Sequence, residues 1–419
     1  MNAIEKIHSL DKFGSRPGLE RIKRFLEILG NPQDDLEFIH VAGTNGKGST
    51  CALLSSVLTQ AGYKTGLFIS PFIVDFRERI QINGEMITKS VLDEAVEKTF
   101  PIVEKLREED CIITEFEYVM ALAFLIFKQA RCDVIVLETG MGGLLDCTNV
   151  IKPPLCSAVT KIGLDHTAVL GSTIEEITLQ KCGIIKTGST AVASAQDLGV
   201  MEIIEKNCAG KNVELIKSEK LDIKLKSESI KETVFEYKGL ELHLPFIGAH
   251  QLDNAKTALA CVEVLKKFFR IRDEDIIGGF EKAKNPARLE LMSEKPLTIL
   301  DGAHNPDGIN ALKNAVIKYN PKSSAILIIG MLGDKDSKSS IKLLDGLFDE
   351  VCTVPVNNPR SMSSQALCDE YKRYSTHVKP FADVRSAYEY ARNKAIQNDS
   401  ILVIAGSLYL ASEIRPIIY

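Results

Sequence analysis

Tryptophan is absent from this chain, and so are a bilayer-length apolar run, a close pair of cysteines and an excess of positive charge. Each absence excludes a class of function. No segment approaches the roughly 18–20 apolar residues of a spanning helix. Met1-Asn2-Ala3-Ile4-Glu5-Lys6 has no apolar signal core. A cytoplasmic protein without a membrane partner is expected. The formal net charge is −5, so no basic field favours nucleic acid, and no aromatic residues interleave with basic ones. The ten cysteines stand singly, without zinc or redox spacing. Reduced, buried thiols are expected, Cys147 and Cys182 included.

What is present is ordinary in bulk and specific in detail. A chain of 419 residues, 45% hydrophobic and 26% charged, suits a globular protein of two or three domains. Its most informative stretch is Phe38-Ile39-His40-Val41-Ala42-Gly43-Thr44-Asn45-Gly46-Lys47-Gly48-Ser49-Thr50. It reads as strand, glycine turn and helix, a geometry that points backbone N–H groups and a helix dipole at an anion. Lys47 would neutralise phosphate charge, and Ser49 or Thr50 could reach a Mg²⁺ ion. The usual phosphate-loop template is only half met. Val41 stands where the first glycine belongs, and Gly48 displaces the hydroxyl by one.

Around this stretch, buried strands alternate with helices. Strands are expected at 65–69, 133–138 and 155–160, and helices at 90–107, 115–129 and 173–181. The pattern implies an α/β fold with a mainly parallel sheet covered on both faces. Between about 212 and 246 period-two alternation replaces it, which predicts a small antiparallel insertion. A first domain over 1–288, a linker at 289–296 and a smaller Rossmann-like α/β domain over 297–419 follow.

Candidate site residues cluster at strand ends, where such sheets bind ligands. Glu138 closes an otherwise apolar strand, as a local cap or as a Mg²⁺ ligand. Asp165-His166 follows the next strand. Met141-Gly142-Gly143 opens a second glycine-bearing loop that runs on to Asn149. Asp301-Gly302-Ala303-His304-Asn305-Pro306 ends the first strand of the second domain, and Asp334-Lys335-Asp336 and Asn358-Pro359-Arg360 close others. Lys181, by spacing alone, is a helix C-terminal cation.

In order along the chain, these segments, with Ser70-Pro71-Phe72, Thr114-Glu115-Phe116-Glu117, Lys181-Cys182-Gly183-Ile184-Ile185-Lys186, His250-Gln251-x-x-Asn254, Pro286-Ala287-Arg288-Leu289-Glu290 and Gly406-Ser407-Leu408-Tyr409-Leu410, resemble the folylpolyglutamate synthase/dihydrofolate synthase family of the Mur-ligase superfamily. The modified glycine loop is that family's own form. The resemblance implies an ATP-dependent ligase that joins L-glutamate to a reduced folate through an acyl phosphate, with dihydropteroate as the acceptor in bifunctional members. It further implies two Mg²⁺ ions, held by Ser49, Ser70, Glu138, His166 and a carbamylated Lys181. Asn45, Gly46, Lys47, Gly48, Ser49, Thr50, Asn254, Arg288 and Asp301 would contact ATP. Phe72, Arg79 and Asp146 would contact folate, and His304, Ser407 and Tyr409 would contact glutamate. Lys47, Glu138, His166, Lys181 and His304 would serve catalysis.

Two positions depart from the family pattern. Leu144-Leu145 stands where Arg-Leu or Arg-Phe is common, and Gln180 stands where Glu is frequent. Phe13-Gly14-Ser15-Arg16-Pro17-Gly18-Leu19 resembles a segment that lines a pteroate pocket in bifunctional members. The competing readings are a ligase acting on a cell-wall precursor and a non-catalytic nucleotide-binding module. Against the first, only 42 residues precede Gly43, fewer than a separate uridine-nucleotide domain needs. A monomer is expected.

Overall fold

The computed structural model describes residues 1–10, 18–320, 324–333, 337–375 and 377–418. Asp334-Lys335-Asp336 and most of the 13–19 segment lie outside the described residues. The chain divides into two compact units. One comprises Met1–Lys224, Glu236–Leu242 and Asp253–Ala283, and the other Leu225–Phe235, His243–Leu252 and Lys284–Tyr419. The chain thus passes from one unit to the other more than once between 224 and 284.

The first unit is built on an eight-stranded sheet. Its strands are β1 (Phe38–Ala42), β2 (Thr65–Phe68), β3 (Ile80–Ile82), β4 (Glu85–Met86), β5 (Val134–Glu138), β6 (Cys156–Val159), β7 (Thr190–Ala193) and β8 (Glu214–Lys217). They lie in the order β4-β3-β2-β5-β1-β6-β7-β8. All pairs from β2 to β8 are parallel, and β3 and β4 add an antiparallel edge. β1 and β5 are buried along their whole length, as a parallel sheet covered on both faces requires. Register places Val41 opposite both Glu138 and Ala158. The ends of β5, β1 and β6 therefore fall side by side.

Helices α1 (Ala3–His8), α2 (Glu20–Ile28), α3 (Lys47–Gln60), α4 (Lys89–Glu108), α5 (Glu115–Ala130), α6 (Thr167–Leu170), α7 (Ile174–Cys182), α8 (Leu198–Gly210), α9 (Ala249–Leu265) and α10 (Asp273–Lys282) accompany this sheet. Local chemistry sets their ends. Thr114 caps α5 in a reciprocal box with Glu117, and Thr173 caps α7 in the same way with Glu176. Glu117 is buried and held by Arg21 at 3.0 Å. Helix α3 packs on α10 at backbone contact. A Cβ on Gly279 would lie 2.5 Å from Val57 Cα. One apolar cluster joins α1, α2, α4 and α5, and another lies against α7 and α8. No helix among the described residues is long and apolar enough to cross a membrane.

Strands β9 (Ile223–Glu228), β10 (Thr233–Tyr237) and β11 (Leu240–Leu244) form a separate three-stranded sheet. The alternation over 212–246 points to these strands, but β8 joins the large sheet instead. The second unit carries a six-stranded sheet of order β12-β13-β17-β14-β15-β16. Its strands are β12 (Glu290–Glu294), β13 (Leu297–Leu300), β14 (Ala325–Ile329), β15 (Glu350–Thr353), β16 (Val378–Pro380) and β17 (Ile401–Ala405). β12 falls in the stretch read as a linker. It pairs antiparallel at the sheet edge, and its half-buried Glu-Leu-Met-Ser-Glu sequence lacks the apolar run that marks a strand. Helix α11 (Pro306–Tyr319) follows β13 and is capped by Asn305.

Candidate active site

The glycine turn forms where β1 runs into α3. Gly46 sits at φ 89° as the N-cap of α3. A Cβ there would lie 2.2 Å from Asn254 Oδ1, and one on Gly43 would lie 1.8 Å from Thr160 Oγ1. Only glycine fits at either point. The Thr44 and Asn45 amides donate to Lys161 O at 2.9 and 3.1 Å. Thr44 Oγ1 bonds Gly163 O at 2.9 Å. The turn is thus tied to the segment after β6. Asn254, buried on α9, adjoins it.

Gly43 O accepts two ammonium groups, Lys47 Nζ at 3.1 Å and Lys181 Nζ at 2.8 Å. Lys181 is buried at 4% exposure. Burial, with Lys47 beside it, lowers its pKa to about 7, and Asp165 and Asp146 oppose the shift. That environment lies beyond what helix spacing says of this residue. Glu138 is also buried at 4% exposure. Its carboxylate accepts the Ser70 amide at 3.3 Å and lies 3.9 Å from Lys47 Nζ. Ser49 and Thr50 are buried in the first turn of α3, and Thr50 Oγ1 has no protein partner. Thus Lys47, Lys181, Glu138, Ser70 and the loop itself come together.

His166 follows in the left-handed region at φ 52°, its ring 3.9 Å from Asp165. Among the described residues no three His, Cys, Asp or Glu side chains converge as a metal site. The donors that do fit Mg²⁺ are hard oxygens, namely the Glu138 carboxylate with the Ser49 and Ser70 hydroxyls. Phosphates complete such a set in nucleotide sites.

The expected folate residues separate into two settings. The Arg79 guanidinium stacks 5.4 Å from the Phe72 ring and 5.6 Å from the Phe76 ring. Asp146 is instead engaged by its own loop. It accepts the Met141 amide at 2.8 Å, the Thr148 amide at 3.0 Å and the Thr148 hydroxyl at 2.6 Å. Thr148 in turn meets His40 Nε2 at 2.9 Å. Sequence reasoning passed over His40 and Thr148. The available signal was a histidine inside an otherwise apolar strand.

In the second unit, Arg288 lies between two non-glycine residues in the left-handed region, Ala287 at φ 54° and Leu289 at φ 48°. Such backbone costs on the order of 1–3 kcal/mol per residue and needs surrounding support. Asp301 gives it. Its oxygens accept the Leu289 and Ala303 amides, both at 2.6 Å, and Gly302 N donates to Ala287 O at 2.9 Å. Burial raises the Asp301 carboxyl, while Arg288 and these amides pull it down. A ribose hydroxyl would have to share oxygens already in use. His304 Nδ1–H donates to Gly302 O at 2.8 Å, which fixes its tautomer. Ser407 is buried and accepts the Leu410 amide at 3.0 Å as a helix cap, and Tyr409 is exposed.

Comparison with known proteins adds to this geometry. Residues 41–262 match the Mur ligase middle domain, and residues 287–408 match the Mur ligase glutamate ligase domain. The chain is 35% identical to the dihydrofolate synthase/folylpolyglutamate synthase of Bacillus subtilis, over 98% of this chain and 96% of that one. The crystal structure of a Thermotoga maritima folylpolyglutamate synthase matches with TM-score 0.87 at 33% identity, covering 99% of this chain and 95% of that one. Mycobacterium tuberculosis folylpolyglutamate synthase complexed with ADP and AMPPCP matches with TM-score 0.90 at 28% identity, covering 100% and 99%. These matches favour the folate branch over a cell-wall ligase or a non-catalytic module. The half-met phosphate template, the buried carboxylate beside it and the buried lysine above it are thus those of a chain that belongs to the folylpolyglutamate synthase/dihydrofolate synthase family of Mur ligases.

Proposed function

We propose that the chain is an ATP-dependent ligase that joins L-glutamate to a reduced folate. The observation that carries this reading is one convergence at adjacent strand ends. A glycine cradle, two lysines on Gly43 O and the buried Glu138 meet there. The named complex of the tuberculosis relative with ADP supports a nucleotide in the cradle.

A carboxylate does not acylate an amine, because oxide is too poor a leaving group. Phosphoryl transfer from ATP gives an acyl phosphate and ADP. The glutamate amine then attacks the acyl carbon, the tetrahedral intermediate collapses and phosphate leaves. The cradle amides of residues 46–48 and Lys47 hold the phosphates and offset their charge. Asn254 faces the base, and Arg288, on its strained corner, contacts phosphate. Phe72 and Arg79 offer stacking surface to the folate. His304, whose ring is oriented by Gly302 O, meets the glutamate amine, with Ser407 and Tyr409 as further glutamate contacts.

Glu138, Ser49 and Ser70 would hold one Mg²⁺, and His166 with a carbamylated Lys181 would hold a second; such ions would neutralise phosphate charge and polarise the transferred group. An ammonium cannot ligate a cation. A neutral Lys181 amine adding CO₂ gives a carbamate and one proton, and the carbamate can. The burial that lowers Lys181 to about 7 supplies that neutral amine near neutral pH.

Purified protein is assayed for ADP release with ATP-Mg²⁺ and L-glutamate, plus tetrahydrofolate, dihydropteroate or a cell-wall precursor. Dihydropteroate is included because the Bacillus relative is named for both activities. Turnover is expected with tetrahydrofolate. Turnover with neither pteridine overturns the reading. Lys181→Ala should abolish synthesis, with partial rescue by a small exogenous carboxylic acid.

A further inference from the structure

His40 has no part in the chemistry above, yet it lies fully buried in β1, three residues before Gly43. A polar ring in such a strand needs a compensating partner. Its Nε2 meets Thr148 Oγ1 at 2.9 Å, and Thr148 Oγ1 meets Asp146 Oδ1 at 2.6 Å. Asp146 already accepts two backbone amides, from Met141 and Thr148, so it acts as an acceptor. The single hydroxyl proton of Thr148 therefore goes to Asp146, and His40 must donate from Nε2. His40 Nδ1 is left buried without a hydrogen-bond partner. That cost is tolerated because the other nitrogen holds the relay.

The relay fixes both ends of the 141–149 loop, which in turn grips the end of α7. The Leu144 amide donates to Gln180 O at 2.7 Å. Asn149 Nδ2 donates to Leu144 O at 3.1 Å and to Gly183 O at 3.2 Å. A Cβ on Gly143 would lie 2.8 Å from Gln180 O and 2.9 Å from Lys181 O, so the two backbones touch. The loop thus adds a donor to Gln180 O, which also takes the Gly183 amide at 3.3 Å, and another to Gly183 O at the helix cap. From the same end of α7, Lys181 Nζ reaches Gly43 O at 2.8 Å. The path leaves β1 at His40 and returns to its continuation at Gly43.

We infer that His40 is a positioning residue, which through Thr148 and Asp146 sets the 141–149 loop and, through that loop, the placement of Lys181 over the phosphate cradle. The inference rests on the ligase reading for its effect on turnover, but not for its effect on the loop.

The test uses the full chain with His40→Leu, His40→Gln, Thr148→Val and Thr148→Ser. Gln keeps an N–H donor at the Nε2 position, and Ser keeps the relaying hydroxyl. Two readouts are taken. Hydrogen exchange follows the peptide covering 141–149, and steady-state kinetics give kcat and the KM for ATP. His40→Leu and Thr148→Val should speed exchange in that peptide about fivefold or more. They should lower kcat about tenfold, the usual scale for removing a ligand's support, with KM for ATP within about twofold. His40→Gln and Thr148→Ser should stay near wild type in both. Val96→Ala, a core deletion in α4, controls for general loss of stability and should leave exchange at 141–149 unchanged. Unchanged exchange in both His40→Leu and Thr148→Val overturns the inference, as does equal damage from His40→Gln and His40→Leu. Exchange needs no turnover, so failure of the relay and failure of the ligase assignment are read separately.

Discussion

Glu138 and Asp301 each close a strand, each is nearly buried, and each looks alike in the sequence. Their surroundings differ. Both Asp301 oxygens take backbone amides at 2.6 Å, from a corner where two non-glycine residues hold positive φ. The Glu138 carboxylate takes the Ser70 amide at 3.3 Å and has the Lys47 ammonium 3.9 Å away. Short bonds to fixed amides spend a carboxylate on shape. Long contacts beside a cation and a glycine cradle suit one that a ligand will draw in. The first arrangement makes Asp301 the support of the corner that carries Arg288; the second is the setting in which we propose that Glu138 holds a cation.

Substitution can break that contrast. The largest effect is expected at Glu138→Gln, which keeps volume and removes charge. Turnover should fall by about 10²–10³-fold, while the thermal midpoint holds or rises, because a buried charge is gone. A fall in midpoint without loss of turnover would assign Glu138 a structural part. Asp301→Ala should behave in the opposite sense. It orphans two buried amides at about 1–3 kcal/mol each. Denaturant unfolding should show the loss, and KM for ATP should rise as Arg288 loses its support. A stable variant defective only in turnover would return Asp301 to direct ligand contact. The smallest effect is expected at Ser407→Ala. Loss of the cap on the helix from Leu408 costs about 1 kcal/mol. KM for glutamate then decides the rest. If it is unchanged, Ser407 only caps; if it rises, the same hydroxyl also meets substrate.

The contrast also marks how far the sequence could be read. The phosphate cradle and the strand end at Glu138 were legible because each is local, set by a few neighbouring residues. The parallel sheet was legible from buried apolar strands at helical intervals. What stayed hidden depends on distant pairing. Asn254 meets Gly46 across 208 residues, a meeting that only the family resemblance anticipates, and His40 finds Thr148 across 108. Local spacing by itself announces neither meeting. β3, β4 and β12 escaped notice because they are short or half-exposed, so no apolar run marks them. The surroundings of Lys181 follow from its tertiary position, whereas helix spacing alone describes a cation at a C-terminus.

The contact between Gly279 and Val57 has a consequence for mutational tolerance. Helix α3 begins at the phosphate cradle and touches α10 backbone to backbone further along. Gly279 belongs to no motif and bears no functional group. Any side chain there would push on the helix whose first turn frames the cradle. Variation at this unremarked position should be as restricted as in the glycine loop, so substitutions far along the chain from any named motif could silence the site by displacing its floor.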